Sequence, residues 1–222
     1  MDDQESIHAI QRAVELGVTF FDTAANYGAG HSERILGRAL GGHRSSVVIA
    51  TKFGYRVLDD QKLVDGLEVH PEAIRRSCEA SLRRLGTEYI DLFQFHVGGH
   101  PADQVDDVLD TLESLVAEGH IRAYGWSTDD PVRARAFAAG KHCAAIQHQL
   151  NIFEDNPEML TPAGAEPTPR EASPPPEAAT RAEAGSLSAA AHALGVVTST
   201  VGRRMTALER RLGSLVFQRM SV

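Results

Sequence analysis

Three ionisable side chains of three kinds stand where apolar runs of this chain end. Asp22 closes VTFFD, Lys52 closes VVIATK and His96 closes IDLFQFH. Tyr27 follows Asp22 by five residues, on the loop that leaves the first of these runs. A lone Asp or His at such a place is more often a helix cap or a satisfied core residue. Three together, with a loop tyrosine in reach, suit proton transfer beside a carbonyl group. A phenol is a poor acid at neutral pH, and a neighbouring ammonium favours the phenolate and makes its proton easier to give. In such a set Asp22 would hold Lys52 charged and in place. His96 would orient the carbonyl by a hydrogen bond or relay a proton, and Tyr27 would donate to the oxygen as hydride reaches carbon.

These residues need a scaffold that brings strand ends together. Runs at 18–23, 47–53, 89–96, 121–127 and 144–150 are rich in β-branched and aromatic residues. Stretches of helical texture cover roughly 4–16, 31–40, 71–84, 102–118 and 130–139. The runs are too continuously apolar for a sheet with one wet face, so they read as buried parallel strands, each followed by a helix. Pro71, Pro101 and Pro131 mark helix starts, where a missing N–H does no harm. Ile74, Cys78 and Leu82 recur at helical spacing before Gly86 stops that helix. Five βα repeats imply a doubly wound sheet or part of a (β/α)8 barrel. In either case chemistry collects at the carboxyl ends of the strands.

The rest of the 222 residues has another character. Residues 1–160 carry 15 Lys and Arg against 25 Asp and Glu, whereas residues 181–222 carry six Arg against two Glu. The overall net charge of −8 thus conceals an acidic body and a basic tail. Seven of the ten prolines lie between Pro157 and Pro176. Residues 161–182 are therefore expected to be a disordered, Pro/Ala-rich linker. Beyond it, Ser188 to Leu194 reads as a short helix and Gly195 as a turn. Thr198 or Ser199 would cap a second helix with Val201, Met205 and Leu208 on one face. Ser199, Thr200, Arg203 and Arg204 are placed to meet DNA, the arginines on phosphates. A helical hairpin with a solvated basic face has the same pattern.

No apolar run is long enough for a transmembrane helix, and the polar start, MDDQESIHAI, is not a secretory signal. Cys78 and Cys143 form no CxxC, and the histidines show no ligand spacing. Reduced thiols, a cytoplasmic location, no membrane partner and no metal are expected. Gly28, Gly30, Gly41 and Gly42 make no dinucleotide-binding GxGxxG and read as turn and helix-stop residues.

Residues 5–160 closely resemble the aldo-keto reductase family. The resemblance is carried by ELGVTFFDTAANYGAGHSERILGRAL (15–40), VVIATKFGY (47–55), SLRRLGTEYIDLFQFH (81–96), EGHIRAYGWST (118–128) and IQHQLNIFE (146–154). It implies reduction of an aldehyde or ketone by NADPH on a (β/α)8 barrel, with Asp22, Tyr27, Lys52 and His96 as the catalytic tetrad. It also implies that Asp22, Ser127, Thr128, Gln147 and Asn151 bind the cofactor, and it implies no metal. Trp126 would line the pocket or pack the core, the core being favoured. The first, seventh and eighth barrel strands are not represented. The expected fold is therefore α/β, an incomplete TIM barrel of about five βα units over residues 1–160.

Residues 183–222 resemble the winged helix-turn-helix of LysR-type regulators, through GSLSAAAHALGV, STVGRRMTALERRLG and LVFQR. Gly202 stands where that family favours serine. The resemblance implies a small all-α DNA-binding segment, itself partial. Three functions follow as expectations: a truncated carbonyl reductase, a DNA-binding regulator fragment, or a fused, non-functional product.

Overall fold

The computed structural model describes residues 2–58, 61–149 and Met159. The proposed linker, the helix-turn-helix and the positions Asn151, Ser199, Thr200, Arg203 and Arg204 lie outside the described residues.

The chain opens with helix α1 (Asp3–Glu15), capped by the Asp2 carboxylate, which accepts from the Gln4 N–H at 2.9 Å. Strand β1 (Phe20–Asp22) and helix α2 (His31–Leu40) complete a first unit. Strand β2 (Val48–Phe53) follows, then a hairpin of β3 (Tyr55–Leu58) and β4 (Leu63–Leu67). Helix α3 (Pro71–Leu85) leads to β5 (Ile90–Phe95), α4 (Asp106–Ala117) to β6 (Ile121–Ser127), and α5 (Pro131–Ala138) to β7 (Cys143–Gln147).

Strands β1, β2, β5, β6 and β7 form one sheet in that order, with every neighbouring pair parallel. Strand order follows chain order, interrupted only by the separate β3–β4 hairpin. This is the sequential arrangement of a barrel wall, not the reversal of a doubly wound sheet. All residues of β2 and β5 are buried, the polar Thr51, Lys52, Asp91 and Gln94 included, as expected of strands covered on both faces.

The sheet is curved. Flat, its two outermost strands would stand about 19 Å apart, four spacings of roughly 4.8 Å. Yet the Gln147 amide at the end of β7 donates to the Asp22 carboxylate at the end of β1, at 3.2 Å. The convex face packs Phe53, Phe93, Phe95, Tyr124 and Trp126 against the helices, with Phe137 of α5 seated on Phe95, Tyr124 and Trp126. The concave face is lined by smaller groups, Val48, Ala50, Leu92, Ala123 and Ala145.

Two expectations are amended. The stretch 102–118 is not one helix: Pro101 precedes a short 3-10 turn at Ala102–Gln104, and α4 starts only at Asp106. The β3–β4 hairpin was not anticipated. By contrast, α3 matches its punctuation, with Pro71 at its start, Gly86 in the left-handed region (φ 64°) at its end, and Ile74 and Cys78 buried.

Two buried polar knots tie the helices to the sheet. The Glu33 carboxylate of α2 accepts from Thr51 Oγ1 of β2 at 2.6 Å and from Arg84 Nε of α3 at 2.5 Å. At the opposite end of the strands, Asp91 of β5 accepts from Arg44, Arg122 and the Ile49 N–H at 2.7–3.0 Å. Both guanidinium groups lie 3.9 Å from the centre of the Tyr89 ring.

Candidate active site

Asp22, Lys52, His96, Ser127 and Gln147 all sit at or beside the carboxyl ends of the parallel strands. They line one open cavity of about 850 Å³ together with Tyr27 and Thr128. Sequence spacing placed these groups at strand ends; the curvature of the sheet brings the ends together.

Lys52 is the best-buried charge of the site, with its side chain 2% exposed. It sits in β2 because that run is apolar on both sides of it, and its ammonium reaches the strand end. There it donates to the Asp22 carboxylate and, at 2.9 Å, to the Thr23 carbonyl. These two acceptors offset the cost of taking the ammonium out of water. Asp22 has further donors in Gln147 and, at 3.4 Å, Gln94 Nε2. One carboxylate thereby collects side chains from β2, β5 and β7.

Tyr27 stands on the loop between β1 and α2, 44% exposed, with the Lys52 ammonium 5.3 Å from its ring centre. The loop is tight, with left-handed backbone at Gly28, Ala29 and Gly30. Gly30 has no room for a side chain, because a Cβ there would meet the Arg84 side chain. The phenol is thus wet on one side and beside a fixed positive charge on the other.

His96 follows β5 directly, its backbone N–H donating to the Phe53 carbonyl at 2.9 Å. Its ring meets Tyr27 and Tyr55 edge-on and faces Asn26 through Nδ1, 3.2 Å from Asn26 Oδ1. Burial, then the Lys52 ammonium, push its pKa below the ordinary imidazole value, while Asp22 pulls the other way. His96 is therefore neutral near pH 7.

The remaining expected residues divide by what they do. Trp126 is fully buried among Phe95 and Phe137, its indole N–H donating to the Val97 carbonyl at 3.1 Å, so it packs the core. Thr128 is buried and its hydroxyl is engaged, donating to the Gly98 carbonyl at 3.1 Å and accepting from the Asp130 N–H at 3.3 Å. Ser127 and Gln147 end adjacent strands and face the cavity. A hydroxyl and an amide offer both donors and acceptors, which a primary carboxamide on a planar ring requires. Gln147 spends one N–H on Asp22 and keeps its carbonyl oxygen for such a group. The donor set at this end of the cavity therefore fits an amide-bearing ring.

Several groups of the site were not anticipated: Thr23, Asn26, Gln94, and the loop residues Gly98, Asp130 and Arg133. Gln94 carried a signal, since it lies two residues before His96 and strand alternation carried one residue past β5 places both on one side. Asn26 adjoins Tyr27 and carried none. Among the described residues no cluster of His, Cys, Asp or Glu could hold a metal ion. No helix among them is long and apolar enough to cross a membrane.

Residues 1–166 match the sequence pattern described as the aldo/keto reductase family, and residues 179–222 match that of the bacterial regulatory helix-turn-helix proteins of the lysR family. Among curated proteins, the chain is 33% identical to the uncharacterized oxidoreductase YqkF of Bacillus subtilis over 163 residues, 72% of this chain and 52% of that protein. Among solved structures, it resembles the holo form of the aldo-keto reductase AKR11C1 from Bacillus halodurans. That likeness has a TM-score of 0.62 and 33% identity, covering 67% of this chain and 49% of the other. It also resembles an aldo/keto reductase from Klebsiella pneumoniae in complex with NADP and acetate. There the TM-score is 0.51 and the identity 33%, covering 65% and 47% of the two chains. The chain spans about half the length of the curated relatives it matches.

Proposed function

The chain belongs to the aldo/keto reductase family, and on that footing we propose that it reduces an aldehyde or ketone with NADPH, using Tyr27 as the acid. The observation that carries this reading is the meeting of Asp22, Tyr27, Lys52 and His96 around one cavity.

Ser127 and Gln147 would hold the carboxamide of the nicotinamide, with Thr128 stiffening the loop beside them and Asn151, outside the described residues, as a further contact. A bound reduced nicotinamide supplies hydride to the carbonyl carbon. Tyr27 gives its hydroxyl proton to the carbonyl oxygen, completing the alcohol. Lys52 stabilises the phenolate left behind, and Asp22 and the Thr23 carbonyl keep that ammonium in place. The exposed edge of Tyr27 lets water return the proton. His96, neutral and fixed, sets the orientation of the substrate. The complex of a similar protein with NADP supports the choice of cofactor.

The test is oxidation of NADPH by a panel of aldehydes, followed at 340 nm, beside cofactor binding by fluorescence quenching. Tyr27→Phe should bind the cofactor as well as the wild type and lose turnover. Absence of binding at millimolar NADPH refutes the reading.

A second reading concerns residues 179–222, supported by their lysR-family match and by the six arginines between 181 and 222. We propose that this segment binds duplex DNA, with Ser199 and Thr200 at base edges and Arg203 and Arg204 on phosphates. The full chain should retard a duplex in a gel, less so as salt rises, and Arg203→Ala with Arg204→Ala should weaken it. Retardation that ignores salt and both substitutions overturns this assignment.

A further inference from the structure

Strict alternation along β7 would aim Gln147 away from the cavity. Cys143 packs on the helix side of the sheet. Gln147 lies four residues further on, so the two would share a face. Gln147 instead lines the strand-end cavity and donates to Asp22. The difference is one extra residue. Tyr124 of β6 pairs with Cys143, but the next residue, Gly125, pairs with Ala145, and Ser127 pairs with Gln147. Ala144 and Ala145 both belong to the concave face, which marks a β-bulge at Ala144. Without that bulge Ser127 would stand beside Ile146.

The side chains of β7 specify this register weakly. Ala144 and Ala145 are interchangeable in a slip of one residue. Only Ile146, against the helix-side core, and Gln147 tell the two registers apart. Among the described residues β7 has β6 as its sole strand neighbour. A clamp at the opposite end of the strand supplies the rest. The Glu113 carboxylate of α4 accepts from the Tyr124 hydroxyl at 2.5 Å, from the His142 N–H at 3.0 Å and from His142 Nδ1 at 2.5 Å. The Tyr124 N–H in turn donates to the His142 carbonyl at 3.2 Å. One carboxylate thus pins the residue before β7 to the residue of β6 where the bulge begins. Two glycines leave room for this. A Cβ at Gly140 would strike the Tyr124 hydroxyl, and a Cβ at Gly125 would strike the Ala145 carbonyl oxygen.

We propose that Glu113 is a positioning residue for the cofactor: it holds His142 against Tyr124 and so seats the bulge that turns the Gln147 amide, in place of Ile146, towards the nicotinamide carboxamide. The inference rests on the reductase reading of the cavity. With the clamp released, β7 can slide by one residue against β6. An alkyl group then faces the carboxamide and leaves its donors and acceptors unmet.

The test uses the full chain and two readouts. Glu113→Ala removes the acceptor. Glu113→Gln keeps an oxygen for Tyr124 and the His142 N–H, and its own N–H meets His142 Nδ1 in the other tautomer. The first readout, without cofactor, is NMR of the side-chain amides in protein labelled with 15N-glutamine. The Gln147 signals are identified by their loss in Gln147→Glu, and their position without the Asp22 bond by Asp22→Ala. Glu113→Ala should move them to that position, and Glu113→Gln should leave them as in the wild type. Wild-type signals in Glu113→Ala overturn the proposal. If circular dichroism shows that Glu113→Ala does not fold, Tyr124→Phe combined with His142→Ala, which leaves Glu113 a single donor, takes its place under the same two outcomes.

The second readout is the Kd for NADPH from fluorescence quenching. Glu113→Ala and Gln147→Ala should each raise it about tenfold. The double variant should bind no more weakly than Gln147→Ala alone, because the clamp acts through Gln147. Losses that multiply in the double variant overturn the assignment. If the wild type does not bind NADPH, the reductase reading falls by itself, and the Gln147 signals still decide whether Glu113 aims that side chain.

Discussion

The Lys52 ammonium lies 5.3 Å from the centre of the Tyr27 ring while its own charge is held by Asp22 and the Thr23 carbonyl. Lys52 is thus fixed before any substrate arrives, and the field it creates at the phenol costs no rearrangement during reaction. Lys52→Met should lower kcat by about 10²- to 10⁴-fold. Gln94 and Gln147 still hold Asp22 in that variant, so the fold should persist. Stopped-flow NADPH oxidation with a circular-dichroism control measures both. A variant with near-wild-type kcat removes Lys52 from the reaction.

His96 makes stability depend on pH. Its folded-state pKa is depressed, by burial first and then by Lys52. As pH falls through about 6.5 the unfolded chain takes up a proton that the folded ring resists. The stabilising contribution of the neutral ring is therefore complete above about pH 6.5 and is lost as pH falls through the folded value. Between pH 7.5 and 5 the wild type should lose more of its Tm than His96→Gln does. Equal losses in a thermal melt contradict this.

The Glu33–Arg84 pair is a sharper test of the scaffold. Their side chains are 0% and 5% exposed. Arg84→Met leaves a carboxylate buried against Thr51 with its strongest partner removed. The expected cost is about 3–5 kcal/mol, read from urea unfolding. A change below about 1 kcal/mol would mean that water reaches Glu33 in the folded state.

Two glycines should respond in opposite ways to alanine. Gly37 lies inside α2, where helix propensity alone predicts a gain, and Gly42 lies in the 3-10 turn Gly41–Ser46 that follows it, where a lower entropy of the unfolded chain predicts the same. At Gly37 of α2, however, a Cβ would collide with the backbone of Leu85 in α3, so Gly37→Ala should cost about 1–3 kcal/mol. At Gly42 nothing lies within 4 Å and φ is not positive, so Gly42→Ala should be neutral or stabilising by up to about 1 kcal/mol. Chemical unfolding of the two variants side by side separates packing from propensity.

Much of this was legible in the residues. The five strands declared themselves because a parallel strand is buried on both faces and is mostly apolar along its length, as in β2 and β5. The helices declared themselves where punctuation was strong, as at Pro71 and Gly86. The β3–β4 hairpin did not. Its strands are four and five residues long, partly exposed, and interrupted by Gly66, so neither a continuous run nor clean alternation marks them. Asp22, Lys52 and His96 stood out because ionisable groups are misplaced in apolar runs. Asn26, Gln94 and Thr23 did not, since their roles depend on which atoms face one another across the curved sheet. Thr128 lines the cavity where its position placed it, and its hydroxyl also closes the loop onto Gly98, a bond that the sequence did not announce.

The hydrogen bond from Gln147 to Asp22 joins residues 125 positions apart. Lys52, 30 positions from Asp22, can reach the carboxylate once the second strand has docked. Gln94, 72 positions away, must wait for β5, and Gln147 must wait for β7. Contacts that span more of the chain close larger loops and cost more loop-closure entropy. The carboxylate has all its donors only when β1, β2, β5 and β7 are docked together. A chain that stalls before β7 docks can still pair Asp22 with Lys52, but it cannot close the mouth.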